Sequence, residues 1–171
     1  MAETGHIVVL GLGNLLRRDE GLGVRALERL HERYELPEAV QLVDGGTLGL
    51  DLLAYLEGAE RVLILDAVLT EGPPGTLLRA TGKEVPAFFG MHASLHEVAL
   101  ADLLAVTRLR GTEPHELVVW GMQPALLELG WELSPQVASC RDALVDAAAA
   151  ELQGWGASLL HLLSQRERKR A

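Results

Sequence analysis

Cysteine is nearly absent from this sequence: Cys140 is the only one in 171 residues. A single thiol excludes an intramolecular disulfide and any all-cysteine metal cluster, and it suits a reducing compartment. No apolar run reaches 18 residues, which excludes a membrane-spanning helix. An excess of positive charge is also missing. The formal net charge is −9, which argues against a general nucleic-acid binder. Met1 to Gly5 contains Glu3 and no basic residue, so no secretory signal is expected and the chain reads as cytoplasmic. The G-x-S-x-G elbow of serine hydrolases does not occur either.

What remains is an ordinary globular composition, 49% hydrophobic and 23% charged. A chain of this length forms one domain and buries roughly 70% of its unfolded surface. Residues 1–171 read as a single domain, with 154–171 as a partly disordered C-terminal extension ending in a solvated basic tail of Arg166, Arg168, Lys169 and Arg170.

The runs His6–Leu12, Val40–Val43, Arg61–Leu65 and Glu116–Trp120 have the length and β-branched content of strands. The first and third are almost continuously apolar, as parallel strands covered on both faces are. Thr76–Ala80, after the turn Gly72-Pro-Pro-Gly75, reads as an edge strand. Helical spacing links Val24, Leu27, Leu30 and Tyr34. A second helix runs from a Thr47 cap through Leu50, Leu53 and Leu56 to Gly58. Ser94-x-x-Glu97 is a capping box for a third, and Ser134-Pro135 opens a fourth towards Leu152. Leu159–Leu163 reads as a short extra turn. The alternation predicts an α/β fold: three layers, with a twisted, mainly parallel (mixed) sheet of about five strands and helices on both faces.

Acidic residues recur where these strands end. Asn14, Asp19 and Glu20 follow the first strand, Asp44 the second and Asp66 the third. Carboxyl ends of parallel strands share one edge, where ligands bind. Any one aspartate there also reads as a turn residue or cap; their shared position, with Gly45-Gly46 allowing close approach, favours a site. Gly11-Leu-Gly13 lacks the third glycine of a dinucleotide fingerprint, since Leu16 stands in its place. His92 and His96 are four apart, with His92 expected in a loop and His96 in the first helical turn. Glu20, Asp66 and His96 together offer two oxygens and one nitrogen, a set suited to nickel or zinc with open coordination positions. Cys140 falls inside the last helix, so a packed or half-exposed thiol is expected rather than a nucleophile.

The run Gly11-Leu-Gly-Asn-Leu-Leu-Arg-Arg-Asp-Glu-Gly-Leu-Gly23 resembles the G-x-G-N-x-L-x-x-D-[ED]-G-x-G signature of [NiFe]-hydrogenase maturation endopeptidases. Val43-Asp-Gly-Gly-Thr-Leu-Gly49, Leu65-Asp-Ala67, Ser94-Leu-His96 and Trp120-Gly-Met-Gln-Pro124 resemble further segments of that family, in order, over about residues 7 to 150. The resemblance implies an aspartyl-type endopeptidase that removes the C-terminal peptide of a hydrogenase large-subunit precursor once nickel is inserted. It also implies Glu20, Asp66 and His96 as metal contacts and Glu20, Asp44 and Asp66 as catalytic candidates. Nickel would be supplied by the precursor rather than held permanently, and the enzyme would act as a monomer with neither nucleic acid nor membrane as partner.

Leu95 replaces a proline common in the family, and His92 adds a second imidazole beside His96. Two mechanisms stay open: activation of water or carbonyl by the ion, and general-base hydrolysis by Asp44 or Glu20. Two other functions compete, a non-enzymatic nickel-checking protein of the same pathway and an atypical nucleotide-binding α/β protein.

Overall fold

A computed structural model describes residues 5–46, 48–82, 84–85 and 95–162, with 95–99 as helix backbone. In chain order the elements are β1 (Ile7–Leu12), α1 (Leu22–Arg33), β2 (Tyr34–Glu35), β3 (Val40–Gly46), α2 (Leu53–Glu57), β4 (Arg61–Ala67) and β5 (Leu77–Thr81). They continue with α3 (Leu95–Arg110), β6 (Glu116–Met122), α4 (Pro135–Gly154) and β7 (Leu160–His161). Short 3-10 turns span Arg18–Gly21 and Gly49–Leu52.

Five strands form one sheet in the order β3–β1–β4–β6–β5, parallel except for β5, which runs antiparallel at the edge. The continuous apolar runs are explained by its two covered faces. Ile7, Val9, Leu63 and Leu65 pack with α1 and α4, whereas Val8, Leu10, Val62 and Ile64 pack with Leu52, Leu56, Leu100 and Leu103. Side chains alternate between faces along a strand, so a doubly covered strand needs apolar residues at every position. Each such large aliphatic side chain contributes about 1.5–3 kcal/mol on burial.

The expected helices form with some changes at their ends. Ser134 caps α4, its Oγ accepting from Val137 N–H at 3.3 Å, with Pro135 in the first turn. Tyr34 does not belong to α1: it is extended and begins β2. Thr47, Ser94 and the basic tail lie outside the described residues. The short turn expected at 159–163 is instead a strand in its described part, for β7 pairs antiparallel with β2 and Leu162 N–H donates to Arg33 C=O. Chain leaving α1 in extended form exposes backbone groups, and β7 satisfies them. No described helix is long and apolar enough to cross a membrane.

Two features position the functional edge. The carboxyl ends of β3, β1, β4 and β6 share one side of the sheet. α3 leads through a short loop into the start of β6, so its C-terminal end lies at the opposite side. At 1.5 Å per residue α3 is about 24 Å long, which returns its first turn to the carboxyl edge. The helix packs against α2 and the 3-10 turn after β3.

Candidate active site

The loop from β1 to α1 follows from glycines that let backbone meet backbone. Gly13 has φ +120°, and a Cβ there would lie 1.7 Å from Glu20 C=O. Gly23 sits between strands: its Cβ would lie 2.1 Å from Leu65 C=O and 2.4 Å from Leu12 C=O. These positions draw the start of α1 onto β1 and β4. Between them, Asn14 Oδ1 accepts from Leu16 N–H at 2.9 Å, folding the loop locally. Arg18 then takes φ +46°, a left-handed conformation uncommon for a non-glycine residue. Its N–H donates to Gly130 C=O at 2.8 Å, a bond that helps hold it there.

After that reversal the adjacent acids part company. Asp19 is fully buried. Its carboxylate accepts from Ala125 N–H (2.8 Å), Leu126 N–H (2.9 Å), Ser134 N–H (2.7 Å) and Ser134 Oγ–H (2.7 Å). Four donors satisfy the buried charge, so Asp19 joins the β1–α1 loop to the segment between β6 and α4. Sequence reasoning assigned it no such role; adjacent acids carry no mark of which turns inward. Glu20 instead stays partly exposed, with Arg17 Nε 3.0 Å from its carboxylate.

The turn bearing Glu20 packs against β4, and Asp66 is 5% exposed near the end of that strand. One Asp66 oxygen accepts from Ala67 N–H at 2.8 Å. Asp66 has the parity of Val62 and Ile64, on the face covered by α2 and α3. The backbone of His96 lies in the first turn of α3, the helix that covers that same face. Asp44 is placed differently. It pairs with Gly11, which also pairs with Leu65, so two strand spacings, about 10 Å, separate it from β4. It is exposed and has the parity of Val40 and Leu42, on the α1 face.

Glu20 and Asp66 are therefore brought near one strand end, with Asp44 at the flank. Among the described residues no three His, Cys, Asp or Glu side chains form a ready metal cage; His92 and the imidazole of His96 lie outside them. Farther along the edge, Gln123 after β6 accepts from Thr70 N–H after β4 and donates to Pro124 C=O at 3.1 Å. Those bonds fix the loops beside Asp66.

The hydrogenase maturation protease family model matches residues 24–151. The chain belongs to this family. It is 44% identical over 153 residues to the hydrogenase expression/formation protein HupD of Rhodobacter capsulatus, covering 88% of this chain and 73% of that one. Hydrogenase 2 maturation protease of Escherichia coli K12 is 38% identical over 152 residues, 88% of this chain and 93% of its own length. The solved hydrogenase maturating endopeptidase HybD from E. coli superposes with a TM-score of 0.88 at 37% identity, over 91% of this chain and 97% of its own.

As a hydrogenase maturation protease the chain is a peptidase, which decides between enzyme and checking protein in favour of the enzyme. The nucleotide alternative falls as well. Gly13 and Gly23 serve packing of α1 rather than a phosphate cradle, and the loop presents Glu20, which would repel a pyrophosphate.

Proposed function

We propose that this peptidase removes a C-terminal extension from the precursor of a [NiFe]-hydrogenase large subunit after nickel insertion, and that it reads the nickel carried by the precursor. The observation supporting this most strongly is that the turn bearing Glu20 packs against β4, the strand that carries Asp66 near its carboxyl end. Both stand at the edge to which α3 returns His96. Two carboxylates and one imidazole suit nickel with positions left open for other ligands. In this reading thiolates of the precursor occupy those positions, so nickel is part of the substrate. Residence in the cytoplasm as a monomer belongs to the same proposal.

Hydrolysis adds water across the scissile peptide bond: oxygen attacks the carbonyl carbon, the C–N bond breaks and the amine leaves protonated. Asp44, exposed at the flank, or Glu20 accepts the water proton as general base. Nickel held at Glu20 and Asp66 fixes the precursor so that this bond meets the edge.

Mass spectrometry of a cognate nickel-loaded precursor incubated with the enzyme tests the reading. Loss of one defined C-terminal peptide supports it. An authenticated nickel-loaded precursor left intact refutes it.

A further inference from the structure

Large apolar side chains are exposed on one side of the molecule far more than elsewhere. Ten are exposed among the described residues, and all but Leu109 and Leu160 lie in segments leaving the carboxyl ends of parallel strands. Five come from only two loops: Leu16 from the β1–α1 loop, and Leu126, Leu127, Leu129 and Trp131 from the segment after β6. The loops are joined through backbone, with Gly130 N–H donating to Leu16 C=O at 2.9 Å and Asp19 N–H to Leu126 C=O at 3.1 Å. Arg17 Nε donates to Leu127 C=O at 3.1 Å, and Arg25 both donates to Trp131 C=O at 2.8 Å and stacks 5.1 Å from its ring centroid.

This apolar surface is held by an internal anchor. The Asp19 carboxylate fixes both ends of the 125–134 segment, and the bonds to Arg17, Arg25 and Gly130 fix its middle. Leu129 is 80% exposed on a segment whose backbone is thus held at several points. Clustered apolar exposure marks an interaction site, and a surface ordered before binding avoids the entropy cost of ordering on contact.

We propose that Leu16 and the 126–131 segment form a preformed docking surface for an apolar patch on the folded body of the protein substrate, separate from the carboxylates that meet its cleavage region. The patch is continuous with the turn that carries Glu20, so whatever protein presents a bond to this edge also covers it. Trp131 with Arg25 supplies the aromatic and guanidinium contacts that dominate protein interfaces. The identity of the docking partner rests on the precursor reading above.

The test compares wild type, Leu127→Glu/Leu129→Glu, and Leu109→Glu as a control at the far end of α3, each confirmed folded by thermal melting. Cleavage of the nickel-loaded precursor should show KM raised at least tenfold and kcat within twofold in the double variant, with the control unchanged. Equal KM in all three overturns the proposal. If the double variant is unfolded, Leu129→Glu alone carries the same comparison. Should wild type cleave nothing, the precursor reading fails by itself, and immobilised precursor then tests docking. Binding by wild type and Leu109→Glu but not the double variant supports docking, and equal binding or none overturns it. A wild-type dimer in sedimentation that the double variant abolishes assigns the surface to a second copy and also overturns it.

Discussion

Ser134 meets Asp19 twice, giving both its backbone N–H and its hydroxyl proton to the carboxylate at 2.7 Å across 115 positions of sequence. The same hydroxyl oxygen accepts from Val137 N–H and caps α4. One buried acid thus ties the start of α4, the loop after β6 and the turn bearing Glu20 into one unit.

Loss of that acid should be costly. Asp19→Asn turns an acceptor towards four donors into a group with half its acceptor capacity, and unsatisfied buried donors cost about 1–3 kcal/mol each. We expect a loss of about 3 kcal/mol, read as a fall in melting temperature of about 6–12 °C. Ser134→Ala, which removes the hydroxyl but keeps its N–H, should lose about 1–2 kcal/mol. Chemical denaturation of both variants checks the order.

Gly23→Ala should be worse than its size suggests. The new Cβ meets carbonyl oxygens of Leu65 and Leu12, both in sheet backbone, so α1 must move off β1 and β4. We expect more than about 3 kcal/mol of destabilisation and little soluble protein. Expression with a denaturant midpoint near wild type would contradict the packing account.

Acid should loosen the α4 side of the sheet. Two hydrogen bonds from Arg79 hold Glu151 below its usual range against the opposing effect of burial, and the Trp120 indole N–H adds to the lowering. A carboxylate with a lowered folded value stabilises the fold above its unfolded pKa, near 4.5, and loses that contribution as pH falls through the folded value. Arg29 lowers Asp142 in the same way, with the same sign. Urea midpoints measured from pH 6 to pH 3 should fall more steeply below about 4.5 in wild type than in Glu151→Gln.

Much of this arrangement was legible in the sequence. The unbroken apolar character of Ile7–Leu12 and Arg61–Leu65 identified doubly covered strands, and Ser134-Pro135 marked the start of α4. Both signals are local, so local rules suffice. Tyr34 and the 159–163 segment misled because β2 and β7 are strands of two residues whose partners are remote; neither is long enough for periodicity. The sequence separates Glu20 from Asp19 as a ligand candidate, but the buried anchoring role of Asp19 is not legible there, because its partners at 125, 126 and 134 are remote in sequence. The strand-end pattern grouped Asp44 with Asp66, whereas their opposite parity puts them on different faces of the sheet.

The central claim is that Glu20, Asp66 and His96 read nickel carried by the precursor. Its most direct test is kcat/KM for nickel-loaded and nickel-free precursor, measured for wild type and for Asp66→Asn. Ligand loss should remove the nickel-dependent part of recognition and leave the rest, as a double-mutant cycle isolates a pair. The account predicts a preference for the loaded form of at least about 100-fold in wild type, a difference of about 2.7 kcal/mol, that collapses towards unity in Asp66→Asn. An equal preference in both proteins would contradict it.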